Sequence, residues 1–187
     1  MPARVAFDRG YTRVMSGTSA GRIAVTPPIT VMDNEPGAFW FGAWGNINVL
    51  AWFTTPSLDG VKRLDRTNPE RVRAHPEKLS TVHIVAASAG PPDSAARNTL
   101  NEMHKRYGDT VGCAAVVIEH AGLLGTAVRS AVTGMMMVAP KHYRVKVFDS
   151  VDPVAPWLAE HHARSTGVEL AASDVLAVLK HARAEGR

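Results

Sequence analysis

Few side chains in this 187-residue chain stand at spacings that could do chemistry. Two clusters qualify, each where an apolar run gives way to a polar turn. The first is Asp93-Ser94 with Arg97 one helical turn on, after the run Thr81–Ala87 and the loop Ser88-Ala89-Gly90-Pro91-Pro92. An Asp or Ser there can cap a helix by accepting a backbone N–H, and the same helix start can present Ser94 and Arg97 to a partner. The second is Glu119-His120, directly after the run Val111–Ile118. Open α/β sheets bind their ligands at the carboxyl ends of strands, and a histidine there can titrate near neutrality and serve as acid or base. The plainer alternatives are a helix cap for the first cluster and a structural turn for the second.

The remaining candidates carry less. The eight histidines form no HExxH and no i, i+4 pair on one expected helix. His161 and His162 are adjacent, so on a helix they diverge by about 100° and make poor joint ligands. Glu160 and Arg164, four apart, read as a solvated helix pair. Ser16–Gly21 has the composition of a phosphate loop, but no Gly-Lys-Ser/Thr follows. There is no G-x-S-x-G elbow and no G-x-G-x-x-G. No metal and no cofactor are therefore expected. Cys113, the single cysteine, sits in an apolar run and reads as a small buried hydrophobe. One cysteine cannot make an intramolecular disulfide, which fits a reducing compartment.

A hydrophobic fraction of 45% with 20% charged residues is ordinary for a globular protein with a core. The net charge is +4, but the positive residues are scattered. Their densest group, Lys62, Arg63, Arg66, Arg71 and Arg73, is broken by Asp65 and Glu70. Nucleic acid is not an expected partner, because it calls for a continuous basic stripe with aromatics for stacking. No run approaches the roughly 18 apolar residues of a membrane span, and the first residues lack a signal-peptide core. A cytoplasmic location is the expectation.

Holding the two clusters requires a sheet. Ala38–Trp44 and Val49–Thr54, linked through Gly45-Asn46, predict a hairpin from their aromatic and β-branched content. It holds three of the four tryptophans, read as core, with an exposed ligand platform as the alternative. Ser57 caps a short helix through Leu58, Val61 and Leu64, which Asn68-Pro69 is expected to interrupt before another turn over Glu70–Ala74. Thr81–Ala87 predicts a central strand covered on both faces, with His83 as a satisfied core histidine. Ala96, Leu100, Met103 and Tyr107 recur at helical spacing, and Gly108 closes that helix. Gly112–Glu119 is the next strand, and Gly122–Val138 a helix with two apolar rows running into Met135-Met136-Met137. Tyr143–Phe148 alternates as an edge strand. A helix with Val154, Trp157, Leu158 and His161 then ends at Gly167, and Ser173 or Asp174 caps the last one. Residues 1–37, rich in Gly, Ser, Thr and Pro, read as a leader, flexible or packing on a partner, with Ile29–Met32 as a candidate edge strand. Residues 38–187 form the domain. The order predicts an α/β fold: a single mixed, mostly parallel sheet with an antiparallel opening pair and helices packed against it.

This order, together with the segment Phe148-Asp149-Ser150-Val151-Asp152-Pro153-Val154-Ala155-Pro156-Trp157-Leu158, resembles the STAS domain. That is the SpoIIAA-like fold of anti-sigma-factor antagonists, and the similarity is greatest to short bacterial STAS-like proteins. It covers roughly residues 38 to 165. The resemblance implies a non-enzymatic regulatory or protein-binding module, switched by phosphorylation of a Ser at the start of the helix after the central strand. Asp93-Ser94 occupies the comparable place, with Pro92 before it and Ala95-Ala96-Arg97 after it where the family has an apolar residue and a Ser-Gly continuation. A phosphate there would be favoured by the helix dipole and free N–H groups. Two alternatives stand beside this reading: a small-molecule or lipid-binding STAS-like domain, marked by a deep apolar pocket near Met135–Met137 or the tryptophans, and an enzyme using Glu119 and His120. A protein partner is expected, and a homodimer through the leader or the edge strand is a further expectation.

Overall fold

The computed structural model describes residues 28–120, 122–136 and 144–185. Among these residues six strands form one sheet in strictly sequential order: β1 (Thr30–Glu35), β2 (Phe39–Trp44), β3 (Ile47–Trp52), β4 (Leu79–Val85), β5 (Val111–Ile118) and β6 (Arg144–Phe148). The first three are antiparallel and the rest run parallel to β3. The described residues also form five helices: α1 (Leu58–Ala74), α2 (Ser94–Tyr107), α3 (Gly122–Met136), α4 (Val154–Thr166) and α5 (Ala172–Ala184). The expected mixed α/β sheet with an antiparallel opening is what the chain adopts.

The opening hairpin turns on two residues, with Trp44 opposite Ile47. Gly45 takes a φ of 54°, the left-handed region that two-residue hairpin turns require and that glycine enters freely. Trp40 lays its indole across Gly42, where a Cβ would come within 2.0 Å of the ring. That glycine is what admits the indole.

Each crossover from β3 to β6 advances by one strand in the same direction. Right-handed crossovers then put α1, α2 and α3 on one face of the sheet. The chain returns after β6 to lay α4 and α5 over the other. Alternating strand residues divide between two cores accordingly. Trp40, Val49, Val82, Ile84 and Val117 face Leu158 of α4 and Val178 and Leu179 of α5. Phe41, Leu50, Trp52 and Ile118 face Val61, Leu100 and Val132. The tryptophans of the hairpin are buried, as core packing predicts. The segment that carries the STAS resemblance is itself a packing unit: Phe148 meets Trp157 edge-on with centroids 5.5 Å apart, and Leu158 is fully buried.

The candidate edge strand at Ile29–Met32 is realised as β1, which runs on to Glu35; Arg63 of α1 holds it by pairing with Asp33 and, at 2.6 Å, with Glu35. Two local expectations need correction, one in α1 and one in α5. α1 runs unbroken through Pro69, because buried Arg71 anchors its last turns: Nε donates to Asn48 at 2.8 Å and a terminal N–H to the Gly45 carbonyl at 2.6 Å. Gly108 closes α2 as expected, its N–H donating to the His104 carbonyl, and in a right-handed conformation opens a single 3₁₀ turn to Thr110. α5 starts at Ala172 with no side-chain cap; Ser173 and Asp174 lie in its first turn. Among the described residues no helix is long and apolar enough to cross a membrane.

Candidate functional site

Asp93 caps α2, its carboxylate accepting the Ala96 N–H at 2.8 Å. Ser94 is the first helical residue, and Asp93, Ser94 and Arg97 are all exposed. The preceding loop is pinned from several sides. Ser88 donates its hydroxyl to the Phe53 carbonyl at 2.6 Å, Gly90 its N–H to the Thr55 hydroxyl at 3.0 Å, and His120 its Nε2–H to the Ala89 carbonyl. The two clusters singled out in the sequence are thus joined through this loop. His120 is 5% exposed and spends one ring nitrogen on that bond. Glu119 pairs with Arg183 of α5 at 2.7 Å. Both Glu119 and His120 have structural partners, and neither lines the cavity beneath α1–α3. Among the described residues no cluster of His, Cys, Asp and Glu is placed to hold a metal ion.

The cavity lies elsewhere, between the sheet and α1–α3. It measures about 140 Å³ and runs from Asn48 and Thr81 to the loops at Pro56 and Gly90–Pro92. Its walls are mostly apolar, with Leu50, Trp52, Leu100 and Val132 among them. Strand register explains the polar groups. Asn48 stands beside Thr81 and Leu50 beside His83, so Asn48, Thr81 and His83 point to one face of two adjacent strands. On the other side of β4, the small Ala114 pairs with Thr81 and Val116 with His83. His104 of α2 also lines the space.

His83, read as a satisfied core or edge histidine, has no hydrogen-bond partner among the described residues. The residue keeps part of its surface and lines the cavity. Burial, with His104 nearby, pushes its pKa down to about 4. His104 is likewise lowered by burial, and its Nδ1 is buried without a partner. Asn48 uses its carbonyl oxygen on Arg71, which leaves its NH₂ as a donor. Arg71 also lies 3.0 Å from His75 Nε2, and His75 Nδ1 lies 2.9 Å from Glu77. Because Arg can only donate, His75 Nε2 accepts, and its Nδ1–H donates to Glu77.

Another polar group is closed to solvent. Ser80 Oγ lies 2.8 Å from His162 Nδ1 and 3.1 Å from Cys113 Sγ, with all three residues 0% exposed. The Ser–His spacing is that of a nucleophile and its base, yet no substrate reaches it. It cross-links β4, β5 and α4. Burial raises the Cys113 thiol and pushes His162 down to about 4.

Comparison of the chain with protein-family models, curated proteins and solved structures finds no match. The site must be read from its own chemistry. Periodicity alone missed Asn48, His83 and His104. The available signal was a histidine inside an apolar strand, with Asn48 falling on the same face only once the register is known. The other anticipated pocket wall, Met135–Met137, lies outside the described side chains.

Proposed function

We propose that this protein is a non-enzymatic, STAS-like sensing domain that binds a small, largely apolar molecule between its sheet and α1–α3. One observation carries this reading: a cavity of about 140 Å³ with mostly apolar walls and a few polar groups, among them His104, whose buried Nδ1 has no hydrogen-bond partner among the described residues. An apolar cavity of roughly 150 Å³ suffices to hold benzene, and ligand sites combine such walls with a few orienting polar groups. The His104 Nδ1, buried and without a hydrogen-bond partner among the described residues, supports a bound molecule as the missing one, since buried polar groups are rarely left unpaired. NMR titration with toluene tests it. Shifts confined to residues such as Leu50, Leu100 and Val132 are the expected result. No saturable shift in that set would sink the reading.

A second reading, a phosphorylation-controlled protein contact at Ser94, is favoured by the exposure of Ser94 and Arg97 beside the Asp93 cap. Peptide mapping of the protein isolated from its own cells checks it. Phosphate at Ser94 supports the switch, and unmodified Ser94 under all growth conditions removes it.

A further inference from the structure

The polar groups of the cavity differ in kind from its walls. Among the described residues its lining contains no Asp, Glu, Lys or Arg. A cationic ligand would enter without a counter-charge, which burial penalises heavily. An anion would fare otherwise. The Asn48 NH₂ and the Thr81 hydroxyl can both donate toward it. Behind Asn48 stands Arg71, whose hydrogen-bond partners among the described residues are Asn48, the Gly45 carbonyl and His75, with the Glu70 and Glu77 carboxylates acting on it from further off. Its Nε–H holds the Asn48 carbonyl oxygen and so leaves the Asn48 NH₂ to donate. His83 of β4 has no hydrogen-bond partner among the described residues, and His104 of α2 has a buried Nδ1 that likewise lacks one there.

We infer that the ligand class is a small weak acid: an apolar body of about benzene size bearing one carboxylate or comparable anionic head, whose binding draws a proton onto the His83–His104 pair. The inference rests on the pocket reading above and goes beyond it in naming the charge of the ligand and its linkage to protons. In the empty cavity a proton on either ring is unpaired and buried, and a charge on one ring opposes a charge on the other. A bound carboxylate supplies the counter-ion, so one ring takes a proton from solvent and donates it to the ligand oxygen. The other titratable group in the lining is Tyr107, on α2. α1 presents Asn68 and apolar groups, α3 presents valines, and β5 and β6 present alanine and valines. None of these competes for the proton.

Benzoate and its neutral isostere benzamide separate the possibilities. Calorimetry at pH 6 to 8, in buffers of different ionisation enthalpy, reads proton uptake directly. Histidine ring ¹⁵N shifts of the same wild-type protein show where the proton goes. The expected result is benzoate bound at least roughly tenfold more tightly than benzamide at pH 6, with about one proton taken up per site. That affinity should weaken as pH rises, with imidazolium shifts at His83 or His104. His83→Gln or His104→Gln, whichever ring shows the imidazolium shift, should keep benzamide binding and lose most of the uptake. Equal binding of the two probes without uptake, or a proton on a histidine outside the pair, overturns the weak-acid inference and leaves the pocket standing. Failure of both probes to bind the wild type overturns the pocket reading and this inference with it.

Discussion

Asp93 and Ser94 differ by one position and do different work. Asp93 satisfies an N–H that the first turn of α2 would otherwise leave open. Asp93→Ala should cost about 1 kcal/mol in urea unfolding, while Ser94→Ala, which removes an exposed hydroxyl, should fall within about 0.5 kcal/mol of wild type. Equal losses would mean that Ser94 shares the capping. His83 and His162 make a second prediction at this scale. Both have folded pKa values of about 4, against an ordinary value of 6.5, because burial disfavours the charged ring. Below pH 6.5 the unfolded chain binds protons that the folded chain refuses, so stability falls as pH drops toward 4. The melting temperature followed from pH 7.5 to 4.5 should therefore decline through that window. A flat profile would show that these rings are solvated. Neither partner set was legible in the sequence. His83 sat in a run whose apolar neighbours implied ordinary core, and its isolation depends on Ala114 and Val116 across the strand, which only register reveals.

Among the elements, α1 was the one misread, and the reason is physical. Pro69 lacks the N–H that the Asp65 carbonyl would accept and costs a helix interior about 3 kcal/mol. Local propensity therefore argues for a break. Arg71 overrides it by fastening the last turns to Asn48 and Gly45, contacts between residues more than twenty positions apart. Pro69→Ala should accordingly stabilise the protein by about 1 kcal/mol or more in urea unfolding, whereas a true break at that point would make the change neutral. The hairpin was legible because its evidence is local: Gly45 in the turn, with aromatic and β-branched residues flanking it. β1 was less so, since its anchor is Arg63 on a distant helix. Arg63→Ala should raise amide exchange across Thr30–Glu35 and leave β3–β5 protected, which hydrogen-exchange mass spectrometry resolves by peptide.

For the whole molecule, the alternation of strands and helices announced an α/β sheet, and sequential right-handed crossovers dictate which helices share a face. What alternation cannot show is how well the helices fill that face. A gap between layers depends on side-chain volumes from β3, β4, β5 and α2 together, and composition carries no trace of it. Ala114→Leu probes most directly whether that gap is a binding site, because it adds volume beside Thr81 without removing a polar group. The variant should be as stable as the wild type or more so, and toluene shifts at Leu50, Leu100 and Val132 seen in the wild type should disappear. A loss of about 1–3 kcal/mol from overpacking, or a wild-type protein that shows no such shifts, would contradict the claim that this cavity exists to be filled.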